Sequence, residues 1–303
     1  MIPTVLAIDI GATKAAIALV DKDLKILDRI NIPTGQRTDI WPEIVEKTLN
    51  LITKNHVSIE GVGIGSAGPL HDQIGAISPV NIPHWREFPI VSKFSELLQL
   101  DAKNIILHGD AIALAHAEHK VGAGQGLKNM LGMVVSTGVG GGLILNHKLF
   151  TGASGNAGYF GHHTIAFESE KCICGRLGCA ELFASGPQMV NYAISIGWEN
   201  KDRSFEALAS NARAGNTLAN LSIKRGADAL AQAIVNVLCI LDLNAVVVGG
   251  GVMQAGDIYW KHLEEKVQAH AEFAKFIGKV DLRKSSLNND AGIIGAALAY
   301  LDR

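Results

Sequence analysis

Very little net charge remains in this sequence when its 27 lysines and arginines are set against its 29 aspartates and glutamates. The formal charge of −2 at pH 7 gives no general attraction to nucleic acid or to an anionic membrane surface. We therefore expect neither among the partners. Disorder is excluded for a different reason, because 48% of the residues are hydrophobic and supply ample surface for a core.

The sequence also lacks a long uncharged apolar stretch and a basic, apolar leader at its start. A cytoplasmic location is the expectation that follows. Cysteine is scarce, with 4 in 303 residues, yet three of the four lie between Cys172 and Cys179. In a reducing compartment such a cluster indicates a metal site before it indicates disulfides.

Glycine is plentiful by contrast, and many of the 33 glycines gather beside strand-like segments. A strand is predicted over residues 5–10, followed by a Gly/Thr turn and a second strand. The same order recurs with a strand over 130–135, a turn over 136–142 and a strand over 143–146. Two halves that each open in this way predict a duplicated α/β architecture with a cleft between the halves.

Three glycine clusters are candidates for binding phosphate: Asp9-Ile-Gly-Ala-Thr-Lys14, Ser136 to Gly142, and Gly249 to Gly251. Such turns expose backbone N–H groups that can cradle phosphate oxygens, although a single one is more often an ordinary hairpin turn. None matches the G-x-x-x-x-G-K-[ST] loop or the G-x-G-x-x-G fingerprint in its required context, so a nucleotide would need a different cradle. Asp9 ends a strand, where it can hold Mg²⁺ directly or through water, or simply cap the turn.

The cysteine cluster reads Cys172-Ile-Cys174-Gly-Arg-Leu-Gly-Cys179 and follows His162. Three thiolates and one imidazole make a closed tetrahedral set, which is the usual environment of structural zinc. The adjacent His163 is an alternative ligand that the residues themselves do not exclude. Cys239 lies in an apolar helical segment and is expected in the core.

Two carboxylates are candidates for roles in the site. Asp110 follows a short strand and opens a helix, where it can accept a proton from a substrate hydroxyl or cap the helix. Glu181 comes just after the last clustered cysteine, so a metal loop would orient it. The alternative for Glu181 is a solvent-facing residue in the first turn of a helix.

Together these motifs resemble the ROK family of sugar kinases and sugar-responsive repressors, over nearly the whole chain. The most specific segments are Gly155-Asn-Ala-Gly-Tyr-Phe-Gly-His162 and the cysteine loop through Glu181. Ala7 to Lys14 and Val135 to Gly142 resemble the two phosphate motifs of the family, and Gly63 to Pro69 with Ser78 to Trp85 resemble its sugar-domain loops.

The resemblance implies an α/β fold of the actin-like, hexokinase type, with ATP and Mg²⁺ in the cleft between two domains. We expect a small domain over 1–119 with the C-terminal helix 289–303, and a large domain over 120–288 that carries a structural zinc. A small-molecule sugar is the expected partner, and the family commonly forms homodimers or homotetramers.

The resemblance also assigns the residues. Asp110 becomes the base that activates the 6-hydroxyl of the sugar, and His162, rather than His163, becomes the zinc ligand beside the three cysteines. Its implied sugar contacts are Gly68, Asn81, Tyr159, His162 and Glu181. Its implied contacts to ATP and Mg²⁺ are Asp9, Gly11, Thr13, Lys14, Thr137, Gly138, Gly250 and Gly251.

Two departures from the family pattern concern the sugar. The family usually has Asn where this chain has Gly109, and Glu or sometimes His where it has Tyr159. The expected activity is ATP-dependent phosphorylation of a hexose or N-acetylhexosamine at the 6-hydroxyl, as in a glucokinase. The alternatives are an N-acetylmannosamine kinase and a non-catalytic sugar-binding relative.

A repressor of the same family is a further alternative. Those proteins carry a helix-turn-helix before the first phosphate motif, and here that motif begins within about ten residues of Met1. The nearly neutral charge also differs from that of a DNA-binding protein. We therefore expect a kinase rather than a repressor.

Overall fold

The computed structural model describes residues 3–11, 13–35, 37, 39–79, 82–275 and 277–303. In chain order, its strands are β1 (Pro3–Ile10), β2 (Lys14–Val20), β3 (Ile26–Pro33), β4 (Ser58–Ser66), β5 (Leu70–His71), β6 (Ala76–Ile77), β7 (Ile105–Gly109), β8 (Met130–Val135), β9 (Val139–Leu145), β10 (Lys148–Phe150), β11 (Ala245–Gly249) and β12 (Asp281–Lys284). Its α-helices are α1 (Trp41–Asn55), α2 (Ile90–Leu98), α3 (Asp110–Val121), α4 (Glu181–Ala184), α5 (Gly186–Ser195), α6 (Phe205–Arg213), α7 (Thr217–Leu241), α8 (Asp257–Ala274) and α9 (Ala291–Leu301).

The first sheet has the strand order β3-β2-β1-β4-β7. β1 pairs antiparallel with β2 and parallel with β4, and β7 extends the parallel side. The strands β1 and β2 are buried almost throughout, which is why their sequences are continuous apolar runs. Successive side chains of β1 point to opposite faces, so Leu6 and Ile8 enter the larger core while Val5 and Ala7 pack beside residues of α9.

The second sheet has the order β10-β9-β8-β11-β12. Its parallel side is β8, β11 and β12, and β10 pairs antiparallel with β9. Each sheet therefore places the first strand of its half in the centre, the next two strands of that half on one side and two parallel strands on the other. This shared order confirms the duplicated α/β architecture predicted from the sequence.

The chain divides into two compact units. The first consists of Met1–Gln125, Gly142–Gly158 and Ser286–Arg303, and the second of Gly126–Gly141 and Tyr159–Ser285. The domains expected from the sequence, 1–119 with 289–303 and 120–288, differ from these units in where residues 120–125, 142–158 and 286–288 belong. Gly142, at the start of segment 142–158, packs closely against α3 of the first unit, since a Cβ added to it would lie 2.7 Å from that of Ala115.

Two local expectations from the sequence are wrong. The turn expected over 136–142 ends early, since β9 already begins at Val139. Cys239, expected in the core, is exposed near the end of α7, together with Ile240. No helix in the described ranges combines the length and the apolar character needed to cross a membrane.

Candidate active site and metal centre

Asp9 lies at the end of β1, on the face of the first sheet that α9 covers. Alternation along the strand puts Asp9 on the same face as Val5 and Ala7. Its carboxylate approaches Gly292, in the first turn of α9, so closely that a Cβ at Gly292 would collide with it. A helix N-terminus favours a negative charge, and the glycine allows the carboxylate to reach it.

Asp110 is the first residue of α3 and faces the same region of the first unit. A Cβ on Gly65 would lie 3.8 Å from both the Cα of Asp110 and Oδ1 of Asp9. Burial raises the pKa of Asp9 to about 7, with the charge of Asp110 adding to the rise and that of Lys14 opposing it. Burial also raises the pKa of Asp110, although its Oδ1 accepts a hydrogen bond from the Ala111 backbone N–H at 2.7 Å.

The raised pKa of Asp9 predicts a cost in stability. Between the pKa of about 4 in the unfolded chain and about 7 in the fold, only the folded state keeps the proton, so stability falls as the pH rises. We expect Asp9→Asn to raise the free energy of unfolding at pH 8 by roughly 2–4 kcal/mol, with a much smaller gain at pH 5. Urea unfolding without Mg²⁺ or nucleotide at both pH values measures this difference. Asp242→Asn, at an exposed helix end, is the matched control, and an equal gain at the two pH values would contradict the prediction.

The first glycine cluster forms the turn between β1 and β2. The backbone N–H of Gly11 donates to the carbonyl oxygen of Lys14 at 3.0 Å and closes the turn. The N–H of Thr34 donates to the carbonyl of Thr13 at 3.0 Å and ties the turn to the end of β3. Thr13 and Lys14 are both exposed, so their side chains are accessible to a ligand.

Of the residues in the predicted sugar-domain loops, Gly68 is described and Asn81 lies outside the described residues. Gly68 is half-buried between β4 and β5, and its peptide bond to Pro69 is cis. The carbonyl of Pro69 accepts a hydrogen bond from the Ser78 N–H at 3.0 Å. The first unit thus joins two of the predicted sugar-loop segments by a backbone contact.

The other two glycine clusters come together in the second unit, because β8 and β11 are parallel neighbours and end at the same edge. Gly250 has φ 100° and packs against Val135, the last residue of β8. A Cβ on Gly251 would lie 3.3 Å from Oγ of Ser136. Thr137 and Gly138 belong to the turn that follows β8, so this edge gathers all four predicted phosphate contacts of the second unit.

The metal loop brings His162, Cys172, Cys174 and Cys179 together, with their ligand atoms all within 4.8 Å of one another. The sulfur atoms of Cys174 and Cys179 are 3.6 Å apart, and Nδ1 of His162 lies 3.6 Å from the sulfur of Cys172. A tetrahedral zinc ion with bonds of about 2.0–2.3 Å separates its ligands by about that distance. The donor set and its spacing therefore fit zinc.

The neighbouring histidine has a different environment. Nδ1 of His163 is hydrogen-bonded to the carbonyl of Phe160, whereas His162 is the histidine beside the cysteines. If Nδ1 of His162 binds the ion, its Nε2 stays available for another partner. Burial raises the pKa of the Cys179 thiol to about 12, so a cation is what would stabilise its thiolate form.

Tyr159 and Glu181 lie at the two ends of the metal loop. The Tyr159 side chain is 41% exposed, and its ring stacks against that of His162 with 6.1 Å between centroids. Glu181 begins α4 and is half-buried, with its Oε2 accepting a hydrogen bond from the Val139 backbone N–H at 2.8 Å. Glu181 is therefore not simply a solvent-facing residue in the first turn of a helix, which was the alternative left by the sequence.

Known proteins resemble this chain over nearly its whole length. A sequence model of the ROK family matches residues 5–303. The chain belongs to the ROK family. It is 36% identical to the N-acetylmannosamine kinase of Escherichia coli O7:K1 over 300 residues, covering 98% of each protein. It is 30% identical to the glucokinase of Thermotoga maritima over 316 residues, covering 98% of this chain and 97% of that protein.

A solved structure agrees with these relatives. The crystal structure of a ROK family glucokinase from Streptomyces griseus, in complex with glucose and AMPPNP, matches this chain with a TM-score of 0.82 and 27% identity. The match covers 97% of this chain and 98% of that one. For this ROK family member, the predicted actin-like α/β fold and the predicted class of enzyme, an ATP-dependent sugar kinase, are confirmed.

The sequence did not point to two of the features at this site. One is the backbone N–H of Val139, which donates a hydrogen bond to Glu181. The other is Gly292, whose lack of a side chain allows the Asp9 carboxylate to approach the backbone of α9. The spacing of Gly292 and Gly295 within the last helix was the available signal, because two glycines near the start of an apolar helix indicate a close approach.

Proposed function

We propose that this chain transfers the γ-phosphoryl group of ATP to the 6-hydroxyl of a hexose or an N-acetylhexosamine. The observation that carries the proposal is the carboxylate of Asp110. It lies at the start of α3 beside Asp9, and burial raises its pKa towards the range in which a general base works well. The full-length similarity to a glucokinase and an N-acetylmannosamine kinase supports the same reaction.

In the reaction, the oxygen of the 6-hydroxyl attacks the γ-phosphorus, and its proton passes to Asp110. The bond from that phosphorus to the β–γ bridging oxygen breaks, and ADP leaves with the bonding electrons. Because phosphoryl transfer depends on positioning and electrostatics, the remaining residues act by holding the two substrates. Oδ1 of Asp110 is already occupied by the Ala111 N–H, so we assign the substrate proton to Oδ2.

The phosphates of ATP are assigned to the two turns and the β11 edge. Gly11, Thr13 and Lys14 supply the first turn, Thr137 and Gly138 the second, and Gly250 and Gly251 the β11 edge. Mg²⁺, when bound, neutralises phosphate charge, and Asp9 would hold it directly or through water. The buried Asp9 carboxylate with its raised pKa fits this role, because a nearby divalent cation stabilises the ionised form.

The sugar is assigned to the residues that the family resemblance implies, which are Gly68, Asn81, Tyr159, His162 and Glu181, with Asp110 as the base. A structural zinc ion would be held by His162, Cys172, Cys174 and Cys179, and it would fix the ends of the loop that carry these sugar contacts. A coupled assay of ATP consumption across hexoses and N-acetylhexosamines tests the function, and we expect turnover with at least one.

A second candidate is a non-catalytic sugar-binding relative, because Gly109 and Tyr159 replace expected sugar contacts. That protein would show a sugar-dependent thermal shift without ATP turnover on any sugar tested. The backbone does not require glycine at position 109, since φ is −64° and a Cβ there would meet only the Ile112 side chain at 3.5 Å or beyond. The missing amide is therefore a difference in chemistry rather than a consequence of crowding.

Because a Cβ at position 109 would make only ordinary van der Waals contact with Ile112, Gly109→Asn is a direct test. We expect the added amide to raise kcat/KM roughly 10-fold for hexoses, because one further hydrogen bond to a buried hydroxyl is worth about 1–1.5 kcal/mol. Gly109→Ala, which adds the Cβ without the amide, is the matched control and should show no such gain. Steady-state kinetics on the same sugar panel measure the effect. An Asn variant no better than the Ala variant on every sugar would contradict the prediction.

A further inference from the structure

We propose that Glu181 positions the second phosphate turn, Ser136–Gly138, in addition to the sugar contact proposed for it. The inference rests on the proposed function, because it concerns how the same enzyme holds ATP. Oε2 of Glu181 accepts the Val139 backbone N–H at 2.8 Å, directly after the turn. The bond joins the metal loop to the strand that leaves the turn.

The turn is built to receive this carboxylate. A Cβ on Gly138 would lie only 2.6 Å from Oε2 of Glu181, so a larger residue there would push the carboxylate away. Glycine at this position therefore leaves room for the Glu181 carboxylate, independently of any role in binding phosphate.

Further backbone contacts hold the turn from both sides. The Ser136 N–H donates to the Gly138 carbonyl at 2.9 Å, and the Gly186 N–H donates to the Ser136 carbonyl at 2.8 Å. Gly161, next to His162, packs against the Val139 carbonyl so closely that a Cβ would collide with it. Residues before the metal loop (Gly161) and after it (Glu181 and Gly186) thus contact the segment 136–139.

This arrangement leaves two donors for a ligand. Within the described ranges, the backbone N–H groups of Thr137 and Gly138 make no hydrogen bond to protein, whereas those of Ser136 and Val139 both do. Thr137 is also exposed. By fixing Val139, Glu181 determines the direction in which the two remaining N–H groups point, which is what a phosphate cradle requires.

The test separates nucleotide binding from sugar binding. Mg²⁺–AMPPNP is titrated into the sugar-free protein by calorimetry, so a contact between Glu181 and sugar cannot contribute. We expect Glu181→Ala to weaken nucleotide affinity about 10-fold, because the turn loses a hydrogen bond to a charged acceptor. Glu181→Gln should stay within about 2-fold of the wild type, because its amide oxygen accepts the same bond.

Glu181→Asp provides a second variant if the alanine variant folds poorly. It keeps the charge but is one methylene too short to reach the Val139 N–H, so it should behave like Glu181→Ala. Metal content and thermal melting of each variant verify that the loop is intact. Wild-type affinity in both the Ala and Asp variants, or a Gln variant as weak as the Ala variant, would overturn the inference.

The inference and the proposed function can fail separately. If the wild type shows no turnover on any sugar while Glu181→Ala still weakens AMPPNP binding, the kinase proposal fails and the positioning role stands. If turnover is present and AMPPNP affinity does not change, only the positioning role fails. Sugar affinity measured without nucleotide reports the sugar contact of Glu181 by itself.

Discussion

Asp110→Asn is expected to lower kcat by roughly 10²–10⁴-fold, the usual contribution of a positioned general base. Asparagine has nearly the same shape, and its side-chain oxygen can still accept the Ala111 N–H that Oδ1 of Asp110 now accepts. The start of α3 should therefore be preserved, and the affinities for sugar and AMPPNP should change little. Steady-state kinetics on the best sugar of the panel measure the loss.

The pH profile gives the same prediction a second readout. The base must be ionised, and burial raises the pKa of Asp110, so wild-type kcat should fall on the acid side at a higher pH than an exposed aspartate would give. The residual kcat of the Asn variant should not show this fall at acid pH. Asp101→Asn, an exposed N-cap that asparagine replaces well, is the matched control and should keep full turnover. Turnover of Asp110→Asn within a few-fold of the wild type would remove Asp110 as the base.

The second large effect is expected at the metal loop. Cys179→Ala should abolish metal binding and lower sugar affinity by 10-fold or more, the range seen when metal-site support is lost. The reason is local, because the ion would hold His162 itself and Cys179, which lies two residues before Glu181. Metal analysis of the purified protein, together with sugar titration before and after chelation, measures both consequences.

The fourth cysteine supplies the control for this experiment. Cys239 is exposed on α7 and belongs to no cluster of metal ligands in the described ranges, so Cys239→Ala should keep the full metal content and sugar affinity. A metal-free protein with undiminished sugar affinity would show that the ion does not support the pocket. A metal content unchanged by Cys179→Ala would remove the cysteine from the ligand set.

The metal loop was the part of the site most accessible from sequence, because its ligands are close along the chain. Gly175 and Gly178 both have positive φ and turn the backbone tightly. These turns bring the three cysteines of the loop close together. His162 was chosen over His163 by family resemblance, since the spacing suited either residue. The structure places His162 beside the cysteines.

The predicted turn over 136–142 was too long because two of its glycines are required by close packing rather than by a turn. Gly141 and Gly142 were assigned to a turn, but both lie in β9, where neighbouring atoms leave no room for a Cβ. Cys239 was misassigned because the burial of α7 stops before its last residues, which periodicity does not reveal. The approach of Asp9 to Gly292 joins residues far apart in sequence, and no local pattern encodes such a contact.

The position of α9 has a consequence for how the protein is made. Its side chains Ile293, Ala296 and Ala297 cover Val5 and Ala7, which lie in β1, far earlier in the chain than α9. During translation that face of the first sheet remains exposed until residues 291–301 have left the ribosome. The second unit can be complete earlier, because its residues end at Ser285. The nascent chain therefore carries an open apolar surface while the residues between β1 and α9 are being synthesised, and such surfaces are the substrates of chaperones.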